Sequence, residues 1–215
     1  MTLFRLDASI RGGQSAGRQI ADTAEAAWRQ THAHHRTIRR DLAQTPVPGD
    51  AWQLSVSAGA VPEEQRTPEQ RAAVALAAEL ATELLESDAY VFAAPLYNYG
   101  VAGNLKAWAD MIFTDPRFNP GAPSPISGRP AALIITRGGA YGPGTPRAGW
   151  DHATGWYKLL FGDMLQLDLH VSEVELTLAE VTPAMAELRG LAKESFAAGT
   201  ESAGKHGRIM AERIG

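Results

Sequence analysis

The sequence predicts an α/β fold in which a parallel sheet is covered by helices on both faces. Three features lead there. Strand-like apolar runs alternate with helix-length segments along the chain, and such alternation implies right-handed βαβ units. The run Ala131-Ala132-Leu133-Ile134-Ile135-Thr136 has the apolar continuity of a central strand. The 215 residues, 45% hydrophobic and 20% charged, suit one globular domain, 1–215, with a well-filled core.

Leu3 to Ala8 reads as the first strand, followed by a Gly-rich turn, Ser9 to Gly17, and a helix to about Thr31. Arg36 to Asp41 makes a second strand. The polar, Pro-rich stretch Ala43 to Pro68 reads as a functional loop or partner-facing excursion. Thr67-Pro68-Glu69 supplies a cap, a proline for the first turn and an acid at the positive helix end, so a helix to Glu86 is expected. Ala89 to Ala94 is a third strand, and Val101 to Phe113 has helical spacing. After a second Pro/Gly-rich excursion, Thr114 to Pro130, comes the central strand, ended by Gly138 and Gly139. Trp150 to Leu165 reads as a helix, Leu169 to Leu176 as a strand, and Pro183 to Ala198 as a helix that can extend near Ile209.

The formal net charge of −4 and the lack of basic runs argue against nucleic acid as a partner. With no cysteine there are no disulfides, thiolate metal sites or cysteine nucleophiles. Met1 to Asp7 enters a strand pattern without the regions of a signal peptide. No apolar stretch approaches the roughly twenty residues that cross a bilayer. The expectation is a soluble, cytoplasmic protein with no membrane or metal partner. His32, His34 and His35 cluster where the first helix ends, and a solvated terminus explains them without a metal. The five tryptophans read as core or interface residues, and His152 is a candidate proton donor.

Ligands in such sheets bind outside the carboxyl ends of the strands, where strand order reverses. Three turns there are unusual. The first, Ser9 to Arg18, combines hydroxyls, glycines and a helix start, a setting for a phosphate. It has neither the G-x-G-x-x-G spacing of dinucleotide sites nor a Walker G-K-[ST]. The second begins with Pro95 and offers Tyr97, Asn98 and Tyr99, two aromatic rings and a carboxamide able to match the edge of a heterocycle. The third, Thr136-Arg137-Gly138-Gly139-Ala140-Tyr141, places two glycines where backbone N–H groups can approach a planar ring. Each has a structural alternative: a Ser-capped flexible turn, an Asn satisfying its own backbone, a tight strand exit.

At these residues the sequence resembles the FMN-dependent NADH:quinone oxidoreductases, also called azoreductases. The motifs are "LDASIRGGQSAGRQIAD", "DLA", "APLYNYGVAGNLKAWAD" and "IITRGGAYGPGTP", in order over nearly the whole chain. The resemblance implies a flavodoxin-like three-layer α/β/α sandwich with a five-stranded parallel sheet of order 2-1-3-4-5. It implies FMN as cofactor, NADH or NADPH as electron donor, a small-molecule quinone, azo or related acceptor, a ping-pong mechanism and a homodimer. Ser9 and Ser15, with the amides of Ala16 and Gly17, would hold the phosphate. Pro95, Leu96, Tyr97, Asn98 and Tyr99 would line the isoalloxazine ring, and Thr136, Arg137, Gly138 and Gly139 would sit against its pyrimidine edge. Phe118, Tyr141 and Asp163 are the substrate-side candidates, with Phe118 reaching the neighbouring subunit's site.

Two positions depart from the family pattern. Gly17 stands where a second hydroxyl residue is usual, a loss that its own N–H and Arg18 would offset. Asp163 stands near a position usually apolar or aromatic. It is either a solvated helix-end residue or, if it faces the flavin, a proton donor with a raised pKa that disfavours anionic dyes. A flavodoxin-type electron carrier and a non-catalytic flavin-binding sensor are the alternatives to an enzyme.

Overall fold

A computed structural model describes residues 1–34, 36–119 and 121–214, so His35 lies outside the described residues. Its strands are β1 (Thr2–Asp7), β2 (Arg36–Asp41), β3 (Ala89–Tyr97), the short β4 (Gly100–Val101), β5 (Pro130–Thr136) and β6 (Asp168–Val174). The helices are α1 (Ala16–Thr31), α2 (Ala51–Ala58), α3 (Pro68–Leu85), α4 (Gly103–Ile112), α5 (Thr154–Lys158) and α6 (Arg189–Ile214). The long strands are parallel and lie in the order β2-β1-β3-β5-β6, while β4 folds back antiparallel on the end of β3. Apart from that two-residue addition, this is the expected order.

Alternation along the central strands fills two separate layers. Phe4, Leu6, Tyr90, Phe92, Leu133 and Ile135 face one side with Trp108 and Phe161, and Leu3, Val91 and Ile134 face the other with Ile20, Trp28 and Met210. Trp28 and Trp108 are therefore core residues, whereas Trp52 and Trp150 are about half exposed. At the start of α3 the expected cap forms: Gln70 N–H donates to Thr67 Oγ1, and Thr67 N–H donates back to Gln70 Oε1. Among the described residues no helix is long and apolar enough to cross a membrane, and no cluster of metal-ligating side chains occurs.

Three segments differ from the sequence reading. The stretch 43–68 is not irregular throughout, because α2 forms inside it and packs on α3 and α4. The helix expected from Trp150 starts at Thr154 and widens to π-helical turns over Leu159–Met164. The last helix is longer than expected and begins as 3₁₀ turns at Pro183–Leu188. Its glycines lower helix propensity, yet they let α6 lie close on its neighbours. A methyl group at Gly207 would overlap the Ala24 carbonyl of α1, and one at Gly199 would overlap Val174 of β6.

Two buried guanidinium clusters fix the elements that carry the carboxyl-end turns. Arg5 in β1 and Glu25 in α1 are both almost fully buried. Arg5 donates to Glu25 and Asp22 of α1, to Asp7, and to the Arg18 carbonyl. Arg39 of β2 and Arg29 also bind Glu25. Burial opposes ionisation of Glu25, but Arg39 and Arg5 outweigh it and hold the carboxyl below the ordinary glutamate range. Arg137, just past β5, pairs with Asp151, Glu173 and Glu175 and donates to Thr154 Oγ1. Asp151 in turn accepts from the N–H groups of Ala153 and Thr154 at the start of α5, so one side chain ties β5, β6 and the 139–153 loop.

Glu25→Leu leaves Arg5 buried and short of a partner, and a loss of about 3–5 kcal/mol is expected in urea unfolding at neutral pH. Because the folded carboxyl titrates below its unfolded value, its contribution is fully present above the ordinary glutamate pKa and is lost as pH falls from there through the lower pKa of the folded state. The acid limb of the stability profile should therefore flatten in Glu25→Leu, and an unchanged limb would refute the assignment. Arg137→Met strands three carboxylates, so tryptic cutting after Arg147, in the loop it anchors, should become faster than in the parent protein.

Candidate functional site

Strand order reverses between β1 and β3, and the ends of β1, β3 and β5 are held side by side: Asp7 pairs with Ala93, and Pro95 with Thr136. A cleft of about 410 Å³ opens there, lined by Ser9, Ser15 and Ala16 from the first turn, Pro95, Leu96 and Tyr97 from the second, and Thr136 and Gly138 from the third. The three turns singled out in the sequence thus share one cavity. The Tyr97 hydroxyl joins the first two, bonding Ser9 Oγ at 3.2 Å and accepting the Ile10 N–H at 3.1 Å. Asn104 of α4 adds a bond from Nδ2 to the Ala8 carbonyl at 2.9 Å.

Ser15 caps α1, its hydroxyl accepting from Arg18 N–H. The first-turn N–H groups of Ala16 and Gly17 have no acceptor one turn back within the helix, and the positive end of the helix dipole lies at the cleft. Gly17 sits against Thr136: a Cβ on it would stand 3.4 Å from the Thr136 side chain and 3.7 Å from Ser15 Oγ.

The second turn is a two-residue hairpin loop between β3 and β4, with both Asn98 (φ 47°) and Tyr99 (φ 67°) in the left-handed region. Asn98 is exposed at its tip. Burial raises the pKa of Tyr157 and keeps its phenol protonated; it donates to the Pro95 carbonyl at 2.7 Å and accepts the Ala102 N–H at 3.0 Å, bracing both arms of the hairpin. Tyr99 is edge-on to Tyr141 and Trp150, and its carbonyl accepts the His152 N–H.

Other expected residues take different places. Arg18 does not line the cleft. Asp41 binds its guanidinium at 2.6 and 2.7 Å, and its Nη2 donates to the Ser9 carbonyl at 3.0 Å. The Asp41 hydrogen bond raises the Arg18 pKa and the same bond lowers that of Asp41, so this charge is already matched and Arg18 shapes the loop through Ser9. Arg137 likewise spends its side chain on the carboxylates of the fold. Gly139 and Tyr141 border a neighbouring cavity, with Tyr141 folded over Gly139.

Phe118 and Asp163 share a third cavity, about 460 Å³, with Phe113, Met164 and Gln166. It lies near the amino end of β6, where Gln166 accepts the Gly128 N–H. Asp163 is exposed there and takes no part in the cleft, because the helical segment that starts at Thr154 near the carboxyl ends carries it to the opposite end of the sheet. The sequence reading overlooked the turn after β6, which supplies Thr177, Leu178 and Glu180 to the cleft, and also Arg11 and Gln14. Thr177 N–H donates to the Arg137 carbonyl and Leu178 N–H to that of Gly138. The rule that points to carboxyl-end turns applies equally to this one and could have found it.

Comparison with known proteins agrees with this geometry. Residues 1–193 match the family described as flavodoxin-like fold. An FMN-dependent NADH:quinone oxidoreductase of Streptomyces avermitilis is 37% identical over 217 residues, covering 99% of this chain and 98% of its own. Another of the same description, from Frankia alni, is 39% identical over 199 residues, 92% of this chain and 94% of its own. In fold, an azoreductase from Bacillus anthracis superposes with a TM-score of 0.77 at 22% identity, covering 97% of this chain and 99% of its own. The chain belongs to the FMN-dependent NADH:quinone oxidoreductase family, on the flavodoxin-like fold.

Proposed function

We propose that this protein binds FMN in the cleft at the ends of β1, β3 and β5 and reduces a quinone, azo compound or related small acceptor with NADH or NADPH. The observation that carries the reading is the convergence of three turns of different chemistry on one cavity. Its donor set suits a phosphorylated heterocycle: Ser9 and Ser15 with the first-turn amides of α1 would hold the phosphate. Leu96 to Tyr99 would line the ring, with the Asn98 carboxamide offering both a donor and an acceptor to its edge. Thr136 and Gly138 would meet the pyrimidine edge, where backbone amides would favour negative charge. There is one phosphate-type turn and no dinucleotide glycine pattern, which supports FMN over FAD.

When bound, FMN supplies the two-electron chemistry, taking a hydride equivalent from the nicotinamide donor and yielding it to the acceptor. The protein's part is to orient. Tyr97 would tie the ring-lining turn to the phosphate turn, the hairpin beyond it would bring Asn98 and Tyr99 to the ring, and Leu96 and Pro95 would exclude water from one side. Donor and acceptor using the same space in turn gives the ping-pong order. We also read the active unit as a homodimer. Phe118 and Asp163 sit together outside the chain's own cleft, so they can serve a substrate only in the site of a second copy.

Heat release of the cofactor followed by mass analysis should give one FMN per chain, and sedimentation at micromolar concentration should give a dimer. Stoichiometric FAD, or a fully active monomer, would count against the corresponding part. Gly17→Ser places a hydroxyl beside Ser15 and Thr136 with room for its Cβ. It should tighten FMN about fivefold, the worth of roughly 1 kcal/mol for an added hydrogen bond, measured as quenching of flavin fluorescence in a titration of the apoprotein. Weaker binding would place the phosphate elsewhere.

A further inference from the structure

Beside the cleft lies the largest of the cavities described, about 690 Å³, between the 138–147 loop and the 176–191 segment. It shares Gly138 and Leu178 with the cleft as lining residues, so the two spaces adjoin. Leu178, Leu188 and Leu191 line it while remaining 40%, 37% and 55% exposed, an apolar surface beyond what an isolated leucine needs to explain. Arg147 lines the same cavity.

Arg147 differs from the other arginines near the site. Its guanidinium lies 5.7 Å from the centre of the Tyr99 ring and 5.9 Å from that of Trp150. Among the described residues no carboxylate stands within ion-pair distance of it. The nearby acids are already engaged: Glu175 by Arg137 and the Tyr141 N–H, and Glu180 by Arg189. Two aromatic rings therefore hold a cation in place without neutralising it, next to an apolar groove that adjoins the cleft.

We propose that this groove is an acceptor subsite for a mainly apolar aromatic compound bearing one anionic group, a carboxylate or sulfonate, with Arg147 as the residue that selects for the anion. The inference rests on the flavin reading above and names the acceptor class of the same site. The apolar body lies on Leu178, Leu188 and Leu191, the reducible ring points toward Gly138 and the cleft, and the anion meets the guanidinium. For a quinone, turnover takes a hydride from NADH and one proton from solvent, giving hydroquinone and the oxidised nicotinamide. The sign is opposite to the one expected had Asp163 faced the ring: anionic acceptors are favoured.

The test uses FMN-loaded dimer whose flavin content is first confirmed by absorbance, since a protein that takes no FMN fails the functional reading rather than this one. Steady-state kinetics at saturating NADH compare naphthoquinone sulfonate with menadione, its uncharged counterpart. Arg147→Gln should raise the KM ratio of sulfonate to menadione about tenfold, as expected for one lost charge-assisted hydrogen bond. Arg147→Lys should restore most of the preference, and added salt should erode it in the parent protein. A calorimetric titration of oxidised holoenzyme with the sulfonate should lose affinity in step, independent of turnover. Leu188→Asp should weaken sulfonate binding further. An unchanged KM ratio in Arg147→Gln overturns the proposal; so does a Leu188→Asp variant that falls apart into monomers with its sulfonate KM intact, which would make the groove a subunit seam.

Discussion

Everything at the site depends on the parallel register that ends β1, β3 and β5 side by side. With Asp7 opposite Ala93 and Pro95 opposite Thr136, the chain leaves three neighbouring strands within reach of one small molecule. The phosphate-type turn, the aromatic hairpin and the glycine turn come from positions almost 130 residues apart in sequence, Ser9 to Gly138. A shift in that register would separate chemistries that are useful only together.

The hairpin at the end of β3 shows what holding the site open requires. Two successive residues in the left-handed region, one of them a tyrosine, are unfavourable by roughly 1–3 kcal/mol each. Tyr99 is kept there by the rings of Tyr141 and Trp150, by Arg147 over its face, and by the His152 N–H on its carbonyl. All four come from the 139–153 loop, which Arg137 and Asp151 fasten to β6 and α5. The strain at this turn is thus offset by a loop whose own order depends on a buried ion cluster.

Charge is used in two ways around the cleft. Arg5, Arg18 and Arg137 are buried or partly buried with carboxylates that match them, and each also donates to an uncharged oxygen: Arg5 to the Arg18 carbonyl, Arg18 to that of Ser9, Arg137 to Thr154 Oγ1 at the start of α5. Buried pairs of this kind add little net stability against apolar replacements but lose much when one partner is removed, which suits residues whose task is to fix loop geometry. Arg147 stands over the Tyr99 and Trp150 rings with no carboxylate among the described residues paired to it, so besides packing on Tyr99 its charge is left for a ligand.

The alternation of elements and three carboxyl-end turns were legible in the sequence because they follow from local pattern: apolar runs of strand length, a Thr-Pro-Glu cap, glycines at strand exits; the strand order came only from the family resemblance. The position of α6 was legible only in part, since its glycines oppose helix formation locally and find their reason in the contact with α1 and β6. Side-chain destinations were not legible at all. Arg18 stands in the first carboxyl-end turn, yet Asp41, 23 residues later, claims its guanidinium, and Arg137 stands beside Gly138 and Gly139 yet turns to acids on β6. Asp163, a substrate-side candidate from the resemblance, is carried to the far end of the sheet. Local pattern marked three of the turns that meet at the cleft, because turn chemistry is short-range, but left out the turn after β6. Only the tertiary structure decided where each long charged side chain points, because a guanidinium or carboxylate goes to its nearest opposite charge, and that neighbour is supplied by a distant part of the chain.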